Sequence, residues 1–350
     1  MIDESKQYCE DMLPLVSRTF AIGIEALDKP LTTQIGVGYL ICRILDTLED
    51  TNQADTNMRI QLLERAAIEL CTSQRDSLLS AFNNNFPKDQ YQGNDIDLLH
   101  GTHKVMEVYD TFPENIQDAI KECVRKMAQG MAKTIAREKN HKLQGLTDLP
   151  DLDQYCYYVA GTVGEFLTKA FADSRESITP KIQKQMQERE IDFALGLQLT
   201  NILKGILGDN ERGVIYLPKT VLQKHNINIE NFLQDSIDER YESMVHDMIQ
   251  YILPYLDRSI EYTLLIPEQE TDIRIFCTLP VLFALRTIHL AQTKTMDLLL
   301  GMPLKITRKE VKELHIQADK AVDDNGALQK LFQRERNNII NLLKIIKDSM

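Results

Sequence analysis

Apolar residues return every three or four positions through almost the whole chain, and that period belongs to helices. Alternation at a period of two, which a half-buried strand needs, is nowhere sustained. The period predicts helices over 6–27, 32–50, 55–72, 74–82, 95–109, 113–139, 152–173 and 180–207. It predicts more over 236–264, 270–300, 306–321 and 324–348, with shorter ones inside 218–233. Loops are expected at 83–95, 141–151 and 209–218, where polar and turn-forming residues gather. Only 15 Gly and 11 Pro occur in 350 residues, which disfavours a turn-rich β architecture. No low-complexity linker interrupts the pattern. The reading is therefore a single all-α domain over 1–350, although the length alone would allow two.

Charge narrows the partners. Lys+Arg number 40 against 52 Asp+Glu, a net −12, so nucleic acid is not expected as a partner. The cysteines Cys9, Cys42, Cys71, Cys123, Cys156 and Cys277 are widely spaced and contain no CxxC pair. They read as buried thiols, not as a disulfide frame or a zinc site. The acidic start MIDESKQYCE is unlike a secretory signal, and no run of about 18 apolar residues suggests a membrane span. A cytoplasmic location is expected.

Two apolar helices carry polar stripes. In the first, Tyr39, Arg43, Asp46 and Asp50 follow at steps of four, three and four, on one helical face, with Glu49 on the flank. Leu40, Ile41, Cys42, Ile44, Leu45 and Leu48 wrap the rest. Buried carboxylates without a partner are costly. Mg²⁺ takes carboxylate oxygens and then holds phosphates, so this stripe suits a metal–diphosphate site. In the second, Gln198, Asn201, Gly205 and Asp209 share a face, with Lys204 on its edge. Paired, the two stripes suggest helices lining a polar cavity in a bundle.

Five blocks then resemble the squalene/phytoene synthase family, in the family's order. They are SRTF at 17–20, YLICRILDTLED at 39–50 with its DxxED, and YCYYVAGTVG at 155–164. GLQLTNILKGILGD with RGVIYLP covers 196–218, and FCTLPVLFA covers 276–284. The resemblance spans about 13–310. It implies an isoprenoid-synthase helical bundle around a central cavity. It also implies head-to-head condensation of two farnesyl diphosphates through presqualene diphosphate to squalene or a related C30 product. Mg²⁺ is the implied cofactor, with NADPH where the product is squalene. The greasy substrates leave room for peripheral membrane contact without a transmembrane helix.

Carried over by position, the resemblance makes Asp46, Glu49 and Asp50 the first metal site, and Asn201 and Asp209 the second. Ser17, Arg18, Arg43, Gln198, Asn201 and Lys204 would bind diphosphate. Tyr39, Tyr158 and Arg43 would act at the reacting centre. The chain departs from the family at Gly205, which stands where the second motif has its first aspartate, and at Gly208, which replaces an acidic neighbour. Water filling the Gly205 gap would keep Mg²⁺ on Asn201 and Asp209. The alternatives are a class I terpene cyclase using one prenyl diphosphate, or a catalytically silent relative.

Overall fold

The computed structural model describes the chain except residues 1, 18, 52, 139–141, 235–236, 303 and 350, and the side chains of 19 and 344–349. Its residues gather into two compact units. One comprises Met1–His141 with Tyr158–Gln183, the other Lys142–Tyr157 with Lys184–Met350.

The first unit begins with α1 (Ile2–Ser17), α2 (Thr19–Glu25), α3 (Leu31–Asp50), α4 (Thr56–Glu69) and α5 (Asp76–Asn85). It continues with α6 (Asn94–His100), α7 (Thr102–Tyr109) and α8 (Glu114–Ile135). The second unit opens with β1 (Leu143–Leu146) and α9 (Leu149–Cys156). The chain then returns through a π-helical turn, Tyr157–Gly161, and α10 (Thr162–Ser174) to α11 (Pro180–Gln187). The remainder is α12 (Glu190–Glu211), β2 (Val214–Pro218), α13 (Lys219–Lys224), α14 (Glu239–Leu265), α15 (Thr271–Thr293), α16 (Thr295–Leu299), α17 (Arg308–Asp319) and α18 (Asn325–Ser349). A short 3₁₀ turn, Ile229–Asn231, follows α13.

The all-α expectation holds, and the periodic stretches at 32–50, 113–139, 236–264, 306–321 and 324–348 are helices within a few residues of their expected ends. Several boundaries need correction. The expected helix 6–27 is α1 and α2, the expected 95–109 is α6 and α7 meeting at Gly101, and the expected 270–300 is α15 and α16. The expected 180–207 is α11 and α12. α12 runs on to Glu211, into the expected loop 209–218. The expected 152–173 starts earlier, because Asp148 caps α9 by accepting from the Asp151 amide.

A parallel two-stranded sheet, β1 beside β2, was not expected at all. Its strands have four and five residues and are largely buried, so they offer a short apolar run and no alternation. In the second unit, α15 packs against α12, α14, α17 and α18. By length and apolarity it matches a membrane span, with a mean hydropathy of 1.5, but 72% of that window is buried inside the protein. Its Arg274 is wholly buried and donates to the Ile266 carbonyl at 2.6 Å and to Asn325 Oδ1 at 2.8 Å.

Candidate active site

α3 places the first stripe. Its apolar majority (Leu31, Ile35, Leu40, Ile41, Ile44, Leu45 and Leu48) is almost completely buried. α4, α7, α8 and α10 pack around it. Asp46 and Asp50 are half-buried on the remaining face, while Glu49 keeps only 8% of its surface. Burial pushes the Asp46 carboxyl up to about 7, and the Asp50 charge adds to the shift while Arg43 opposes it. Glu49 is pushed well above the carboxylate range, first by burial and then by the charges of Asp50 and Asp46.

The last turn of α3 is held from beneath. Arg59, on α4, is 1% exposed. Its Nε donates to the Leu48 carbonyl at 3.1 Å, and a terminal nitrogen donates to the Glu49 carbonyl. These are carbonyls that a helix C-terminus otherwise leaves unpaired. The guanidinium also pairs with Glu138 at 3.2 Å, whose side chain is 5% exposed.

Arg43 is oriented by a residue the sequence did not single out. Asp95, in the first turn of α6, accepts from Arg43 Nε at 3.0 Å and from a terminal nitrogen at 3.1 Å. The other terminal nitrogen approaches Asp46 at 3.5 Å. This two-point fork fixes the guanidinium plane. Asp95 lies far along the chain from α3, at the junction of a polar loop and the next helix, so no spacing within α3 marked it.

The remaining first-unit candidates have distinct settings. Tyr39 packs against the Phe20 ring at 5.9 Å between centroids, and its hydroxyl reaches the Val16 carbonyl at 3.5 Å. Burial, with the nearby Asp46 charge, raises its phenol, so it stays protonated. Ser17 is 7% exposed, and its buried hydroxyl has no hydrogen-bond partner among the described residues. Arg18 lies outside the described residues.

Tyr158 sits on the π-helical turn, with Lys133 over its ring at 5.5 Å. π-turns inside helices concentrate at functional sites. The ring's seat is Gly130 on α8. A Cβ there would lie 2.0 Å from Tyr158 Cγ, so only glycine lets the ring approach. A glycine inside a long helix was the available signal for this contact.

The second stripe lies on α12, in the second unit. Gln198 is half-buried, and Asn201 and Lys204 are exposed. Asp209 Oδ1 accepts from Arg212 at 2.6 Å. Its Oδ2 leans back one turn, to 3.0 Å from the place a Cβ on Gly205 would take. Arg212 was not among the sequence candidates.

Among the described residues, no three His, Cys, Asp or Glu side chains converge on a metal position. Mg²⁺ characteristically uses one or two carboxylates and completes its shell with waters and substrate phosphates. Asp46 and Asp50, one turn apart and with their charge only partly offset by Arg43, fit that demand.

The squalene/phytoene synthase family model matches residues 13–310. Squalene synthase of Cyberlindnera jadinii is 30% identical over 287 residues, covering 81% of this chain and 60% of that protein. Squalene synthase of Saccharomyces cerevisiae is 30% identical over 289 residues, covering 81% of this chain and 61% of that protein. This chain therefore spans less than two thirds of either relative's length. Among solved structures, TcSQS with the ligand BPH1237 superposes with a TM-score of 0.79 at 21% identity, covering 97% of this chain and 96% of that one. A dehydrosqualene synthase in complex with ligand gives a TM-score of 0.64 at 18% identity, covering 91% and 96%. These two show a shared helical fold.

Proposed function

The chain belongs to the squalene/phytoene synthase family, and from that premise we propose that it is a Mg²⁺-dependent prenyl transferase joining two farnesyl diphosphates head to head. The observation that carries this reading is the α3 stripe. Two half-buried carboxylates one turn apart share a face with a guanidinium already fixed in its plane. Asp46 and Asp50 would hold a magnesium ion, which when bound would neutralise the charge of a departing diphosphate.

The chain's own residues do the rest. Arg43, gripped by Asp95, offers its remaining N–H groups to diphosphate oxygens in a fixed direction. Glu49, buried beside Asp46 and Asp50 at the end of the same helix, is the third acid that the family resemblance assigns to the metal site. Ser17 brings an unpartnered buried hydroxyl that a ligand oxygen would satisfy. Tyr39 keeps its proton across the neutral range and can donate from its hydroxyl. Tyr158, seated on Gly130 with Lys133 over its ring, is the tyrosine that the family resemblance assigns to the reacting centre.

Joining two C15 substrates through presqualene diphosphate releases two diphosphates. A hydride donor such as NADPH would quench the resulting C30 cation to squalene, and loss of a proton in its place would leave a conjugated triene. The reading takes residues 1–350 as one catalytic domain in peripheral contact with the lipid that carries its substrate and product. Incubation with farnesyl diphosphate and Mg²⁺, with and without NADPH, tests it by product mass. A C30 hydrocarbon is expected. A C15 product would replace the reading with terpene cyclisation, and no diphosphate release would overturn it.

A further inference from the structure

The polar face of α12 carries one carboxylate, and that carboxylate is already engaged. Gln198, Asn201, Gly205, Asp209 and Arg212 fall on this face, with Lys204 at its edge. Arg212 grips Asp209 Oδ1 at 2.6 Å. Asp209 Oδ2 tilts over Gly205, whose missing side chain leaves the room it leans into. The other nearby acid, Glu211, is two residues from Asp209, so it projects from the opposite side of the helix. Gly208 brings no side chain and has open space beyond it.

Divalent-ion affinity follows the number of charged oxygen ligands. A single carboxylate neutralised by a guanidinium offers too few. We infer that the α12 face holds no divalent cation of its own and instead takes diphosphate oxygens directly on Arg212 and Lys204, assisted by the Asn201 amide. Asp209 then acts as a positioning residue, which holds the Arg212 fork as Asp95 holds Arg43. An arginine suits this task, because its planar donors match phosphate oxygens two at a time. The metal of this protein would be confined to the α3 carboxylates. The inference rests on the proposed reading that the substrate is a prenyl diphosphate.

Equilibrium dialysis with Mn²⁺ as the metal probe, in the presence of inorganic diphosphate, tests it. The full chain is compared with Asp46→Asn, Asp209→Asn and Gly205→Asp, each checked by thermal melting. Asp46→Asn is expected to weaken Mn²⁺ binding at least tenfold, and Asp209→Asn to leave it within twofold. Gly205→Asp is expected to add a further bound ion. In metal-free buffer with chelator, Arg212→Gln is expected to weaken inorganic diphosphate binding at least tenfold. Loss of a bound Mn²⁺ ion in Asp209→Asn, or unchanged diphosphate binding in Arg212→Gln, overturns the inference and leaves the transferase reading standing. Wild-type protein that binds neither Mn²⁺ nor diphosphate overturns both.

Discussion

Replacing Arg59 by Met removes the support under the last turn of α3, the helix that carries Asp46 and Asp50. Methionine fills similar volume, so little cavity forms. What is lost is polar. The Leu48 and Glu49 carbonyls lose their donors, and each such bond contributes about 1 kcal/mol net. Glu138, 5% exposed, is left as a buried carboxylate without its cation. Breaking a buried pair by removing one partner costs about 3–5 kcal/mol, and that contribution dominates. Because the groups share one guanidinium, the contributions do not simply add, and about 3–5 kcal/mol is the expected total. A native protein has only about 5–15 kcal/mol in hand.

The chain has no Trp, so urea unfolding is best followed by far-ultraviolet circular dichroism. Adding Glu138→Gln to the Arg59→Met background removes the stranded charge and should restore more than half of the loss. A loss below about 1 kcal/mol, the scale of one ordinary hydrogen bond, would refute the reasoning. So would a double variant no more stable than Arg59→Met alone.

Other outcomes follow from the same geometry. Gly130→Ala forces the Tyr158 ring off its seat, and overpacking of this kind costs about 1–3 kcal/mol. Its turnover should fall more steeply than its unfolding free energy, as steady-state kinetics beside urea melts would reveal. Ser17→Ala removes a buried hydroxyl that has no partner, so stability should hold or rise slightly while KM for the prenyl diphosphate increases. A KM equal to wild type would detach Ser17 from the substrate. Asp95→Asn weakens the fork that orients Arg43, and a fall in kcat of at least about tenfold is expected, the equivalent of 1.4 kcal/mol. Chelation with EDTA should abolish turnover without changing the circular dichroism spectrum, and added Mg²⁺ should restore it; unfolding on chelation would make the metal structural.

Long helices were legible because period and burial agree. α3 shows the expected apolar wrap and leaves Asp46 and Asp50 on the face its spacing implied. The breaks were less legible. The π-turn at Tyr157–Gly161 arises within an apolar run that looks like continuous helix. β1 and β2 are too short and too buried to alternate. At the site, sequence spacing identified groups that share a helix but not groups that meet across the fold. Asp95, Arg59 and Gly130 lie on other helices, and each sets the position of a side chain or helix end that the spacing or the family resemblance had singled out. Arg212 was within reach, since it stands three residues after Asp209 on the same face.

In the proposed reaction the α3 carboxylates drive loss of diphosphate from a prenyl substrate. Diphosphate release from farnesyl diphosphate, measured side by side for wild type and Asp46→Asn with saturating Mg²⁺, tests it most directly. Wild type is expected to release diphosphate together with a C30 product, and Asp46→Asn to lose at least about a thousandfold of that rate, or about 4 kcal/mol in the barrier. Equal release by the two proteins would contradict it.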